Sequence, residues 1–272
     1  MPLSIMQRVD LLKSLGRPTI RDYIPLLFKD FTEFHGDRYF SDDPALLGGI
    51  AVLKDGGPFE NTPVTVIAQV RGRDIAELQK VNFSMPHPEG YRKALRLVKQ
   101  AEKFRRPVIC FIDTPGAFCG VGAEERGQGE AIARNLHEFM MLKIPIVSVV
   151  LGEGGSGGAL AIGVCDELAM MENALYSVIS PKGFASILWK DGSREREAAE
   201  ITKITADDLL SFGICDKIIA EPEGGAAKDI NLTSVNIAAW LRDSLGRLSK
   251  EDFGSLPDKR YQKFRKMGVF IE

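Results

Sequence analysis

Residues 146–151 are an apolar run interrupted only by Ser148, and the chain then reads Gly152-Glu-Gly-Gly-Ser-Gly-Gly158. A short apolar run closed by such a breaker is a buried strand. The Ala159-Leu-Ala-Ile162 that follows starts a helix, so the chain turns from strand to helix over residues with almost no side chain. Bare backbone of this kind brings N–H groups to a helix start, where negative charge is stabilised. The same pattern stands one unit earlier. An apolar run at 108–112, entered at Pro107, opens into Asp113-Thr-Pro-Gly-Ala-Phe-Cys-Gly-Val-Gly122, and a helix is predicted over 124–143. Two consecutive strand–glycine loop–helix units give an α/β architecture with largely parallel strands, whose ligands bind at the strands' C-terminal ends.

Around this centre the periodicity predicts helix over 1–35 with a break at 16–18, and strands at 48–53 and 64–70 joined by a turn-rich hairpin connection. An amphipathic helix runs from 91 to Pro107. A short helix at 159–164, strands at 167–171 and 174–179, and helices at 205–212, 234–245 and 249–266 complete the chain. No linker longer than an ordinary loop interrupts it. A single domain over 1–272 follows, with a helical segment at 1–40, a core at 41–222 and a helical segment at 223–272.

A net charge of −2 gives no general attraction to nucleic acid or an anionic membrane. No run approaches the roughly 18 apolar residues of a membrane span, and the first residues have no apolar signal-peptide core. Cysteines at 110, 119, 165 and 215 lack the spacing of a zinc ribbon, and unpaired thiols suit a reducing cytoplasm. From Arg92 to Arg106 seven Lys/Arg stand against one Glu. That is either a solvated helix face or a contact for phosphates or an acidic carrier.

The glycine stretch satisfies three motifs. Gly154-x-Ser156-x-Gly158 fits a hydrolase nucleophile elbow, but that chemistry needs a histidine later in the chain, and His35, His87 and His137 all precede Ser156. Gly152-x-Gly154-Gly155-x-Gly157 with Glu172 twenty residues on fits a dinucleotide fingerprint, which keeps an NAD-binding oxidoreductase as the alternative. Against it, the next helix is short and a similar unit precedes it. The third reading is an oxyanion hole, in which main-chain donors meet a carbonyl oxygen that becomes negative. Gly116-Ala-Phe-Cys-Gly-Val-Gly122 would form a second anion-facing turn. A GTPase switch at Asp113-Thr-Pro-Gly116 is excluded because no phosphate-binding Gly-Lys-Ser/Thr loop precedes it.

At this point the residues match a known family. The stretches 113–128 and 152–163, with Phe34-His-Gly-Asp-Arg38, Pro88-Glu-Gly-Tyr-Arg-Lys-Ala94, the block 180–190 and Arg260-Tyr-Gln262, closely resemble the carboxyltransferase α subunits of bacterial acetyl-CoA carboxylase. The resemblance covers nearly the whole chain from about residue 15, with Cys119 where many members have proline. It implies a crotonase-like fold, a ββα spiral with helical N- and C-terminal extensions. It also implies an α2β2 assembly with a zinc-bearing β subunit, and no metal on this chain. Carboxyl transfer would run from carboxybiotin, on the biotin carboxyl carrier protein, to acetyl-CoA, giving malonyl-CoA for fatty acid biosynthesis in the cytoplasm. A separate biotin carboxylase would recharge the carrier. Both half-reactions create enolate-like oxygens. The resemblance assigns the thioester side to β and the biotin side to α, with the amides of Gly157 and Gly158 as donors and Gly120 and Val121 as a second candidate. Gly154, Gly155, Ser156, Gly116, Ala117 and Phe118 would line the substrate.

Overall fold

The computed structural model describes residues 3–268. Two helices, α1 (Ile5–Lys13) and α2 (Ile20–Leu27), lead into strand β1 (Phe28–Glu33). The strand replaces the helix expected to continue to 35. Phe28 adopts extended backbone directly after α2, and the strand pairs antiparallel with β2 (Leu46–Leu53) along the sheet edge. β2 and β3 (Pro63–Gln69) form the expected antiparallel hairpin. Then α3 (Ile75–Lys80) and α4 (Pro88–Lys103) precede β4 (Val108–Thr114), which is buried along its whole length. That burial explains the continuous apolar run, because a central parallel strand is covered on both faces.

The helix expected over 124–143 is two helices, α5 (Val121–Glu125) and α6 (Gln128–Met141). Gly127, at φ 83°, takes a left-handed conformation that breaks them apart. β5 (Ile146–Gly155), α7 (Ser156–Leu160), β6 (Glu167–Met171) and β7 (Leu175–Ser177) follow. Next come α8 (Pro181–Leu188), α9 (Glu195–Ile201), α10 (Ala206–Ser211) and β8 (Lys217–Ile219), none of the first two nor β8 signalled by periodicity. Helices α11 (Ile230–Leu248) and α12 (Leu256–Arg265) close the described chain.

The sheet runs β1-β2-β3-β4-β5-β6-β8, parallel from β3 onward, and β7 joins the C-terminal part of β5 in parallel. Helix α4 packs on β2, β3 and α6, and α12 packs on α6. The last contact is locked by Arg260, which is 1% exposed. Its guanidinium meets Asp166 at 2.9 Å and donates to the carbonyls of Phe139, Met140, Leu142 and Ile144 at 2.8–3.2 Å. Phe139 and Met140 lie in the last turn of α6, where carbonyls lack intrahelical partners, and Leu142 and Ile144 lie in the link to β5. Asp166 also accepts the Ile146 amide that starts β5. One side chain thus stitches α6, β5 and α12 together. Arg260→Met leaves the Asp166 carboxylate buried without its cation. We expect a loss of about 3–5 kcal/mol in urea unfolding, and a loss below about 1 kcal/mol would show that the network is replaceable.

Candidate active site

Strands β4 and β5 are neighbours, and Thr114 pairs with Gly154, so the two glycine turns leave the sheet side by side. The glycine stretch, however, is largely strand. Glu153, Gly154 and Gly155 pair with Leu175, Tyr176 and Ser177 of β7, which carries β5 to Gly155. The turn itself is sharp. Ser156 has φ 53°, a left-handed conformation that β-carbon sterics disfavour.

Most of these glycines serve the protein's own packing. A Cβ on Gly155 would lie 2.0 Å from the Pro115 carbonyl oxygen, and one on Gly158 would lie 2.4 Å from the Ala117 amide nitrogen. Gly152 is covered by the Arg17 guanidinium and Gly154 by the Tyr176 ring. Gly157 differs, since a Cβ there meets only Ile132, at 3.6 Å. The two turns therefore touch backbone to backbone at 155 and 158, and the backbone is open at 157.

Buried polar groups hold this contact. Asp113, at the end of β4, accepts the Arg17 Nη2 at 2.8 Å and the Glu153 amide at 3.2 Å through one carboxylate oxygen. Burial opposes the charge on Arg17, but the Asp113 carboxylate overrides it and holds the guanidinium pKa above its ordinary value. Gln69 spans the two units. Its Nε2 donates to the Gly158 carbonyl at 2.7 Å, and its Oε1 accepts the Asp113 amide at 3.0 Å. The Tyr91 hydroxyl also reaches the Gly158 carbonyl at 3.4 Å, and burial pushes that phenol's pKa upward. Gln128 donates to the carbonyls of Pro86 and Phe118, fixing the first turn from below.

The amides are divided between structure and open space. Gly116 donates to Thr114 Oγ1 and Phe118 to the Pro86 carbonyl, at 3.0 Å each. Those two N–H groups therefore do not face a ligand, which corrects the picture of a second turn whose amides all point outward. Ala117 is packed against Gly158. Gly120 caps α5, and the following Val121 is 75% exposed. Gly157 and Gly158 lie in the first turn of α7, where an N–H has no intrahelical acceptor, and none meets another acceptor among the described residues. Ser156 and Gly157 border an apolar cavity of about 390 Å³ with Leu160, Tyr176 and Phe264, and Gly154, Gly155 and Ser156 border a smaller recess with Pro115.

Several side chains suited to acid–base work are engaged elsewhere, while Glu124 and Glu125 of α5 are exposed. Glu153 pairs with Arg71 at 3.1 Å. His87 bonds Asn82 and stacks on Phe118, and His35 bonds Asp42. Ser156 thus has the strained turn of a nucleophile elbow but no histidine partner among the described residues. The basic stretch of α4 is also accounted for. Arg92, Lys93, Arg96, Lys99 and Arg106 each bond a neighbouring acid, side chain or carbonyl. Lys103 and Arg105 are exposed, so the stretch is in part an ion-paired scaffold and in part a solvated face. Glu172, the expected ribose acid, accepts the Glu221 amide at 3.0 Å. Among the described residues no cluster of three or more His, Cys, Asp or Glu is arranged to hold a metal ion.

The family model described as acetyl co-enzyme A carboxylase carboxyltransferase-like matches residues 1–268. The chain belongs to that family. It is 57% identical over 270 residues to the acetyl-coenzyme A carboxylase carboxyl transferase subunit alpha of Clostridium acetobutylicum, covering 99% of this chain and 96% of that one. It is 56% identical over 270 residues to the fused subunits beta/alpha of Natranaerobius thermophilus, covering 99% of this chain and 44% of that one. Among solved structures it is similar to transcarboxylase 12S, with a TM-score of 0.68 at 17% identity over 92% of this chain. It spans 45% of the 12S chain, a little under half. A Pseudomonas malonate decarboxylase hetero-dimer gives a TM-score of 0.62 at 19% identity, covering 82% of this chain and 90% of that one. These likenesses show the crotonase-like fold. The carboxyltransferase family membership leaves the NAD-binding alternative without support.

Gln69, Arg17 and Arg260 were not singled out as site-building side chains by motif reading. Gln69 had one visible signal, a polar residue inside the apolar run 64–70. Packing gives a sharp contrast for the glycines. Gly157→Ala should melt within a few degrees of the parent chain, whereas Gly158→Ala, forced into the Ala117 backbone, should lose about 1–3 kcal/mol. Equal melting temperatures for the two variants would contradict the close contact at 158.

Proposed function

We propose that this chain supplies the biotin-side half of a carboxyltransferase site. With a β subunit it would move the carboxyl group of carboxybiotin, presented by the biotin carboxyl carrier protein, to acetyl-CoA and so form malonyl-CoA. The observation that carries this reading is the pair of amides at Gly157 and Gly158 that meet no acceptor among the described residues, the first of them on open backbone beside an apolar cavity. The bound group supplies the carboxyl to be transferred and a ureido oxygen that gains negative charge as the carboxyl leaves. The residues fit it: a negative oxygen needs donors, and these two amides need an acceptor.

This chain's contribution is preorganisation. Gln69 and Tyr91 hold the Gly158 carbonyl, so the start of α7 does not reorient when charge develops. Removal of one such donor costs roughly 3–4 kcal/mol in well-studied oxyanion holes. Gly120 and Val121 remain the second candidate pair. The zinc and the thioester-side donors are assigned to β in an α2β2 assembly, and biotin carboxylase stays a separate enzyme of the cytoplasm. The fused beta/alpha relative supports a partnership in which the two halves work together.

Malonyl-CoA formation should require both subunits. The purified chain alone is expected to be inactive, and addition of β to restore turnover; full activity of the chain alone would sink the half-site reading. In the assembled enzyme Gly157→Val should lower kcat by about 10²-fold or more while the subunits still co-purify. Gln69→Leu leaves the Asp113 amide unpaired and the Gly158 carbonyl with only the long Tyr91 contact, and should lower kcat more than it raises KM. A uniform rise in KM with kcat intact would instead assign Gln69 to binding.

A further inference from the structure

We propose that the exposed triplet Arg38-Tyr39-Phe40 is the anchor by which this chain grips the β subunit that completes its site; the inference rests on the half-site reading above. Tyr39 is 88% exposed and Phe40 67%. Single exposed aromatics are ordinary; the loop that carries these two is not. It is built from charged side chains, of which Asp37 and Lys93 are buried. The Asp37 side chain, 1% exposed, accepts the amides of Tyr39, Phe40 and Ser41 at 2.7–3.0 Å on one oxygen and Arg92 Nε at 2.8 Å on the other. Asp42 accepts the Gly36 amide at 2.8 Å and meets Lys93, itself 1% exposed, at 2.5 Å. Lys93 also donates to the Asp43 carbonyl at 2.9 Å.

Burying such charges costs desolvation energy. Here it yields a fixed loop that displays two apolar rings to solvent. Arg38 sits at φ 66° and donates to the His35 carbonyl at 2.7 Å. The Arg92 guanidinium lies 5.5 Å from the Tyr39 ring and that of Arg126 lies 4.9 Å from the Phe40 ring. The rings are therefore held in place before any partner arrives, which lowers the ordering cost of binding. Arginine and aromatic residues are also the types that concentrate binding energy at interfaces.

Position selects the partner. Arg126, beneath Phe40, directly follows α5, whose cap is Gly120 and whose first residue, Val121, is itself exposed. Arg92 Nη1 holds the Arg126 carbonyl at 2.9 Å. Through Arg126 the aromatic patch thus adjoins the candidate turn at Gly120-Val121, where a chain that completes the site at that turn would meet it.

The test uses the purified complex of this chain with β, diluted and followed by sedimentation velocity. Tyr39→Ala combined with Phe40→Ala should raise the concentration of half-dissociation at least about tenfold. Phe104→Ala removes another exposed aromatic, at the opposite end of α4, and should leave it unchanged. If the double variant folds poorly, Tyr39→Ser, which removes only a solvent-facing ring, carries the measurement. Wild-type dissociation in these variants overturns the proposal. So does intact assembly with a raised KM for the carboxybiotinyl carrier, which would give the patch to the carrier. A wild-type chain that forms no complex with β brings down the half-site reading and this inference together.

Discussion

Two strand ends meet with no side chain between them, and the rest of the molecule is arranged to allow it. The Gly155 backbone lies against the Pro115 carbonyl, and Gly158 lies against Ala117. Such an approach leaves polar backbone in a dry place, where each group must be paired. Asp113, Arg17 and Gln69 pair several of these groups. Two amides remain without partners among the described residues, at Gly157 and Gly158, and of these only Gly157 lies on open backbone; at 155 and 158 the backbone holds the two turns together.

Much of this was legible in the sequence because it obeys local rules. Apolar runs bounded by Pro107 and Pro145 marked β4 and β5, and the alternation with helices gave the parallel sheet. Where the reading went astray, tertiary pairing decided the outcome. β5 reaches Gly155 because β7 pairs with its end, and glycine propensity alone cannot show that. β1 replaces helix because β2 offers an edge. The break at Gly127 depends on a left-handed residue within a pattern that reads as one helix.

The site was legible in kind and blurred in detail. Tandem glycines pointed to backbone donors, but the sequence cannot separate a glycine kept for packing from one kept open for a ligand. Only the neighbours distinguish Gly157 from Gly155 and Gly158. Gln69 and Arg17 act across long stretches of chain, on Gly158 and Asp113, and no spacing rule links such residues. The basic stretch 92–106 reads in one dimension as either a solvated face or an anion contact. In three, Arg92, Lys93 and Arg96 hold the exposed loop above them, while Lys103 and Arg105 stay exposed.

Arg260 carries one further consequence, for the order in which the molecule can be completed. Its guanidinium closes the end of α6 and pairs with Asp166, which lies 94 residues earlier. Until synthesis has passed Arg260, the carbonyls from Phe139 to Ile144 and the Asp166 carboxylate have no cation. The centre of the sheet must therefore wait, partly unsatisfied, for a distant helix. Such long-range closure slows folding, and it makes a chain truncated before α12 a species whose buried Asp166 carboxylate lacks its guanidinium partner.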